Sequence, residues 1–417
     1  MNTTPTHILE LADRCVKCGL CLPQCPTYQL SSNENESPRG RIALIQGWLG
    51  GQLAPTKTLT NHLDQCLLCR RCERICPSVV PYGEIMDQAQ YLLSEKSQPG
   101  FSVQKTLTRT GLNLLLNKTF SASFFSILRT LQKTGILSLA KKTGAFKLFG
   151  LKRAVAFIPM LEKPVKPKTF YPATNKKLHG NVALFTGCIS NQLDPKTVSA
   201  SIHLLNRMGY GVFVPEQQVC CGALHLHAGQ QQQAVKLATK NINTFNQQDN
   251  IVAIISLVNG CTSQLREYEK LETAHPFTMP VKDIIEFIAE IDWPDNLKLN
   301  TLHKTVALQI PCSLQNSLRA EDKLMALLHR IPGIKLPPET IYNRCCGAAG
   351  SYFLRFPQIA DKLQQAALLT LEQNHPDLII SSNIGCALQL KAGLAVKNTT
   401  TEIIHPILLL EQLLKPH

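Results

Sequence analysis

Two cysteine strings near the N-terminus constrain this chain more than any other feature. Cys15-Val-Lys-Cys18-Gly-Leu-Cys21-Leu-Pro-Gln-Cys25-Pro26 and Cys66-Leu-Leu-Cys69-Arg-Arg-Cys72-Glu-Arg-Ile-Cys76-Pro77 both read C-x-x-C-x-x-C-x-x-x-C-P. That run wraps a [4Fe-4S] cube in two-cluster bacterial ferredoxins, where the last cysteine of each run ligates the other cluster. The spacing suits the chemistry, because one short loop can aim three thiolates at three corners of a cube while the fourth comes from elsewhere. On that pattern Cys15, Cys18, Cys21 and Cys76 serve one cluster, and Cys66, Cys69, Cys72 and Cys25 the other. The crossing forces the runs together although 40 residues separate Cys25 from Cys66. Four-thiolate zinc sites are the bland alternative. A zinc site, however, pairs two C-x-x-C knuckles and has no use for a third close cysteine or the following proline.

A chain of 417 residues, 44% hydrophobic and with a mean hydropathy of −0.02, describes a soluble globular protein of two or three domains. No uncharged apolar run reaches transmembrane length, and the N-terminus lacks the plan of a secretory signal. The cytoplasm is therefore the expected compartment, and sixteen cysteines there are thiols and ligands, not disulfides. The formal charge of +14 falls to about +10 once two clusters of about −2 each are bound. Acidic partners, anionic lipid or nucleic acid fit such a balance.

Residues 1–95 hold both runs with helical filler between them, so a helical two-cluster ferredoxin domain is expected. Ser37-Pro38-Arg39-Gly40-Arg41 reads as a turn entering a helix, its arginines either solvated or touching a cluster or partner. Residues 96–175 form a basic connector. Between residues 96 and 161 there is no Asp or Glu, while Lys96, Lys105, Arg109, Lys118, Arg129, Lys133, Lys141, Lys142, Lys147, Lys152 and Arg153 are spread among apolar residues. Phe120, Phe124, Phe125, Ile127, Leu128 and Leu131 give this cationic stretch one apolar side, as in a helix lying on an anionic membrane or docked on a partner. A connector packed on its own domains is the plain alternative. Nucleic-acid binding is not expected, because interleaved stacking aromatics and a known module are missing. The proline-bearing stretch 163–172 reads as a stiff linker.

From residue 181 onward the chain repeats itself. Val182-Ala-Leu-Phe-Thr-Gly-Cys188 matches Val306-Ala-Leu-Gln-Ile-Pro-Cys312, Cys220-Cys221-Gly222-Ala223 matches Cys345-Cys346-Gly347-Ala348, and Gly260-Cys261 matches Gly385-Cys386, at offsets of 124, 125 and 125 residues. Two duplicated units follow, 176–298 and 299–417. Apolar runs at 182–186, 251–258, 305–310 and 377–381 alternate with helical patterns at 195–208, 230–246, 316–330 and 358–373, which predicts α/β layers with a largely parallel sheet. The expected fold class is thus α+β and multidomain: a helical ferredoxin domain, a basic helical connector and two α/β cysteine-rich units.

Each unit places four cysteines after strands or in Gly-bearing turns, where α/β folds assemble their sites. Cys188, Cys220, Cys221 and Cys261, and likewise Cys312, Cys345, Cys346 and Cys386, are candidates for a further metal or cluster site or for buried thiols that only pack. Adjacent cysteines suit an opened, non-cubane cluster or a redox pair, and the glycine would let the backbone approach an inorganic core. The full cysteine-rich pattern, which resembles heterodisulfide reductase, ends in C-x-x-C; Gln264 and Gln389 stand at its last position here. His225 and His227 read as ordinary polar residues.

Cys18-Gly-Leu-Cys21-Leu-Pro-Gln-Cys25-Pro-Thr-Tyr28, Ser37-Pro-Arg-Gly-Arg-Ile42, His62-Leu-Asp-Gln-Cys66, the twin Cys-Cys-Gly units and Ser382-Asn-Ile-Gly-Cys386 together resemble the glycolate oxidase iron-sulfur subunit family over nearly the whole chain. The resemblance implies a non-flavin subunit of a complex oxidising glycolate to glyoxylate, with FAD on flavin-binding partner subunits and attachment at the inner face of a bacterial membrane. Cys15, Cys18, Cys21 and Cys76, and Cys66, Cys69, Cys72 and Cys25, match that family's cluster ligands. The residues agree by exclusion: no dinucleotide or phosphate-binding glycine motif and no acid–base pair for hydride removal is present, so no catalytic residue is expected on this chain. It would relay electrons from a partner flavin through two [4Fe-4S] clusters to a quinone-side acceptor. Rival readings are a lactate or glycerol-3-phosphate dehydrogenase iron-sulfur subunit, a thiol/disulfide reductase built on the Cys-Cys-Gly units, and a zinc protein binding nucleic acid.

Overall fold

The computed structural model describes residues 4–96, 110, 111, 113, 114, 118–143, 157–164, 168–174, 178–271, 273, 275–336, 344–397, 399 and 401–415. Residues 4–96 form helices and turns. Helix Pro5–Ala12 starts where the Thr4 side chain accepts from His7 N and Pro5 takes the first position, an arrangement that satisfies an otherwise orphaned N–H. It packs with helices Pro38–Leu49 and Tyr82–Lys96 around Ile8, Ile45, Trp48, Leu63, Ile85 and Met86, and Cys15, Cys21, Cys66 and Cys76 sit at the margin of that core. Both cysteine runs therefore hang from one small helical scaffold.

Part of the basic connector is described. Helix Lys118–Lys133 buries Phe125 and Leu128 against Leu137 and Leu161, and Gln132 fastens the 157–161 segment by donating to Pro159 O at 2.8 Å and accepting from Leu161 N at 2.8 Å. Phe120, Phe124 and Ile127 stay exposed on another side. Lys105, Arg109, Lys147, Lys152 and Arg153 lie outside the described residues, as do the side chains of Lys96, Lys118, Lys141 and Lys142. The expected linker is corrected at its end: Phe170–Tyr171 is an edge strand (β1) pairing antiparallel with Tyr210–Phe213 (β3). Pro172 is tolerated there because it follows the last paired residue.

The rest is two α/β layers. In the first, β1, β3, Gly180–Phe185 (β2), Ile251–Ser256 (β4) and Val281–Asp283 (β5) lie in the order β1-β3-β2-β4-β5, parallel apart from β1. In the second, Val306–Gln309 (β6), Leu378–Ser381 (β7) and Glu402–Ile404 (β8) are parallel in the order β6-β7-β8. The four apolar runs read from the sequence became β2, β4, β6 and β7. Their largely apolar character reflects burial on both faces. The fold is α+β and multidomain, but the two units share one core: Leu184, Leu204 and Ile255 of the first belong to the same cluster as Leu308, Leu324 and Ile380 of the second. Helix Pro195–Arg207 packs on Pro406–Leu413, and Ser382 Oγ donates to Asn259 Oδ1 at 3.0 Å across the junction.

Candidate metal centres

The two N-terminal runs repeat not only in sequence but in backbone. Lys17 and Gly19 have φ of 56° and 88°, and Leu68 and Arg70, at the corresponding positions, have 50° and 54°. Left-handed residues on either side of the second cysteine curl each run into a cup. Glycine adopts that conformation freely, whereas at Leu68 and Arg70 the surroundings must impose it at a cost of about 1–2 kcal/mol each.

Cys15, Cys18, Cys21 and Cys76 line one cavity, with Arg39 and Pro77 completing its wall. Cys18 is exposed, and among the residues lining the cavity Val16 and Leu20 present exposed apolar side chains. Burial pushes the Cys21 thiol up. Cys66, Cys69, Cys72 and Cys25 gather deeper, close enough for Cys25 to act electrostatically on each of the other three. Burial raises all three of those thiols, Cys69 to about 12. A dry pocket disfavours a thiolate until a cation replaces its proton, so this donor set fits an iron cluster. Among the described residues, no three His, Cys, Asp or Glu side chains are gathered tightly enough for a single metal ion.

The second cup is walled in by the second cysteine-rich unit. Asn316, on a π-helical turn Ser313–Leu318 that follows Cys312, donates to Cys69 O at 2.8 Å, and Tyr352 OH donates to Gln65 O at 3.1 Å. Arg74 pairs with Glu321 at 2.5 Å and Arg355 with Asp64 at 3.0 Å. Leu67 and Cys69 join Tyr352, Phe353 and Cys345 in one apolar cluster. Arg70 reaches the first unit instead, donating to both Glu267 oxygens at 2.5 and 2.8 Å.

In each cysteine-rich unit the four candidate thiols also converge. Cys188, Cys220, Cys221 and Cys261 lie close enough to act on one another, and Cys220 is held well below the usual thiol range by Cys188 and Cys221. In the other unit the Cys346 and Cys386 sulfurs are 2.7 Å apart; Cys346 is held down by Cys386, while burial lifts Cys312 to about 11. Cys312 and Cys345 lie near Cys69. Gln264 and Gln389, in the place of the fifth cysteine, are 3% and 2% exposed, and each has a buried Nε2 with no partner. A matched pair of orphaned amide donors, three residues after Cys261 and Cys386 on their helices, fits an acceptor absent from the protein's own atoms.

Gly222 and Gly347, at φ of 86° and 80°, are needed for left-handed turns that press on neighbouring helices: a Cβ on Gly347 would collide with Ala360 O, and one on Gly222 would come 3.3 Å from Ala234 Cα. Close packing against a helix requires both glycines. The expectation for His225 changes: it is buried near Cys220, where it helps hold that thiol down, with its Nε2 2.9 Å from Asn113 Oδ1. The sequence signal was its position four residues after Cys221. His227 is the ordinary one, pairing with Asp87 at 2.8 Å.

Comparison with known proteins agrees with these shapes. Residues 11–80 match the 4Fe-4S dicluster domain, and residues 182–266 and 306–391 each match the cysteine-rich domain. The chain is 30% identical over 396 residues to the probable glycolate oxidase iron-sulfur subunit of Bacillus subtilis (strain 168), covering 91% of this chain and 88% of that one. This chain belongs to the glycolate oxidase iron-sulfur subunit family. A second member, from Escherichia coli (strain K12), is 29% identical and covers 96% of this chain and 94% of its own. Lactate utilization protein A of Shouchella clausii (strain KSM-K16) is 25% identical over 54% of this chain and 96% of its own length. A crystal structure of a hypothetical protein from Helicobacter pylori superimposes with a TM-score of 0.52 at 11% identity, over 93% of this chain and 69% of that one, a likeness of fold.

Membership in the family agrees with the cofactor expectation: the chain carries [4Fe-4S] clusters and is an iron-sulfur component of an oxidoreductase. No helix among the described residues is long and apolar enough to cross a membrane.

Proposed function

We propose that this chain is the electron-relay subunit of a glycolate-oxidising complex. A partner flavoprotein takes two electrons from glycolate, and this chain carries them singly towards an acceptor at the inner face of the cytoplasmic membrane. Cys15, Cys18, Cys21 and Cys76 hold one cluster; Cys66, Cys69, Cys72 and Cys25 hold the other. The observation that carries this reading is the interleaving of the two runs, with Cys76 lining the first cavity and Cys25 lying among the thiols of the second. Exposure of Cys18 beside Val16 and Leu20 suits exchange with a partner there, because electron transfer needs close approach and a dry contact. The names of the Bacillus and Escherichia relatives support glycolate; that of the Shouchella relative favours lactate as the second reading.

The eight cysteines of the duplicated units form an additional pair of cluster sites, a reading supported by their convergence and by the orphaned amides of Gln264 and Gln389. Helix Lys118–Lys133, with Phe120, Phe124 and Ile127 exposed beside Arg129 and Lys133, attaches the complex to anionic lipid. Anaerobic purification with the natural partner decides between these outcomes. Reduction of the clusters by glycolate and not by lactate or glycerol 3-phosphate is expected. About eight irons, four per cube, are expected from the N-terminal sites alone, and a larger count with the duplicated units loaded. Colourless protein without inorganic sulfide would sink the reading.

A further inference from the structure

Ser37-Pro38-Arg39-Gly40-Arg41 supplies one guanidinium to each four-thiol cavity. Ser37 caps helix Pro38–Leu49 by accepting from Gly40 N at 2.9 Å. Gly40 lets the Glu34–Glu36 turn press so close that a Cβ would strike the Glu34 carbonyl. Two residues apart on this first turn, the arginines diverge. Arg39 stays near the surface, beside the cavity of Cys15, Cys18, Cys21 and Cys76; it donates to Lys17 O at 3.0 Å and to Glu34 Oε1 at 2.7 Å. Arg41 turns inward and is 1% exposed.

Every polar contact of Arg41 leads towards the inner thiols or the groups that brace them. Nε donates to His62 O at 2.8 Å, Nη2 to Glu36 Oε2 at 2.5 Å, and Nη1 to Glu36 O at 2.6 Å and Thr27 Oγ1 at 3.1 Å. The Cys25 sulfur lies 3.2 Å from that same Thr27 oxygen and 3.6 Å from Glu36 O. The guanidinium is thus one atom removed from Cys25 by two routes. At Cys66, where burial raises the thiol, Arg41 is the leading charge that opposes the rise.

We infer that Arg41 is a positioning residue that sets the reduction potential of the inner centre, whereas Arg39 leaves the outer one nearly unchanged. The inference rests on the ligand assignment proposed above. Adding an electron makes a centre more negative, so a fixed cation beside it stabilises the reduced form. That attraction is several-fold stronger at the effective dielectric of a buried site than in water. Arg41 acts from such a site; Arg39 is screened by solvent and paired with Glu34. Glu36 offsets part of the Arg41 charge, so the two residues push the potential in opposite directions.

The test is a redox titration of the anaerobically purified full-length protein at pH 9, where histidine is neutral. Low-temperature EPR resolves the two centres after iron and sulfide have been counted. Arg41→Gln is expected to lower the potential of one centre by a tenfold change in its reduced-to-oxidised ratio, 59 mV for one electron, and to leave the other in place. Arg39→Gln should shift neither centre by that much, and Glu36→Gln should shift the Arg41-sensitive centre upward. Unchanged potentials in Arg41→Gln, or shifts of the same sign in Arg41→Gln and Glu36→Gln, would overturn the inference. Should Arg41→Gln lose its iron, the sign in Glu36→Gln decides: upward supports, downward or unmoved overturns. Wild-type protein with fewer than about eight irons would instead defeat the ligand assignment.

Discussion

The two cysteine runs share spacing, proline and backbone twist, yet one is a surface feature and the other an interior one. The first cup opens to solvent at Cys18 and is braced by Arg39 and Glu34, both substantially exposed. Its counterpart is sealed by Tyr352 and Phe353 of the second cysteine-rich unit and braced by Arg70–Glu267, Arg74–Glu321 and Arg355–Asp64. Where the first run has Gly19, free to adopt a positive φ, the second has Arg70, held there by a bidentate ion pair 197 residues away. A motif therefore specifies a loop and its ligands, while long-range contacts specify how insulated that loop becomes. On the function proposed above, insulation divides the roles: the open cup meets partners, and the sealed one keeps electrons dry.

The largest difference is expected on removing one thiol from each cup. Cys18→Ala and Cys72→Ala should each lower the iron count by about four, one cube's worth. Cys72→Ala should also lower the thermal midpoint further, because Cys72 belongs to the helical core whereas Cys18 faces solvent. Equal midpoints would erase the distinction between inner and outer cups.

Next in size is the brace of the inner cup. Glu267→Ala removes the bidentate partner of Arg70, leaving only Glu73 at 3.7 Å, and should cost about 1–3 kcal/mol in denaturant unfolding, as for a hydrogen-bonded charge left short of a partner. Iron loss from the inner centre should accompany it, since Arg70 lies between Cys69 and Cys72.

The same pair sets a pH dependence. Burial alone would raise the Glu267 carboxyl, but Arg70 outweighs it and holds the group below the usual carboxylate range. A depressed carboxylate stabilises the fold above its unfolded pKa of about 4.3, and the contribution disappears as pH falls through the lower folded value. Wild-type protein should therefore lose stability more steeply than Glu267→Gln below about pH 4.3. Parallel acid-unfolding curves would show that the pair does not hold the inner cup.

Smallest is Arg39→Gln, which breaks an exposed, solvent-screened ion pair and should shift the unfolding midpoint least of the four, with less effect in high salt. A loss as large as that in Glu267→Ala would mean that the outer cup is braced like the inner one.

Much of this arrangement was legible beforehand, for reasons that differ by element. The cysteine spacing was readable because a cluster imposes it over a dozen residues. The apolar runs that became β2, β4, β6 and β7 were readable because central parallel strands are buried on both faces. Strands β1, β5 and β8 escaped because each has only two or three residues, too few for a period to show, and β3, as long as β6 and β7, carries Gly211 in place of a second apolar side chain. The role of Arg41 was undecidable, since a cation next to a turn looks solvated until its helix is placed against Cys25. Similarly, the chain puts His225 four residues after Cys221, but only the fold brings it against Cys220.

By itself the sequence determined the local chemistry: which thiols sit in one loop, that the second half is duplicated, and that the chain is an iron-sulfur component of its family. Only the tertiary structure decided which cup is dry, which arginine is buried and which cysteine-rich unit presses on Cys69. The physical reason is range. Ligand spacing and strand periodicity are properties of adjacent residues, whereas desolvation and Coulomb attraction depend on atoms brought together from hundreds of residues apart.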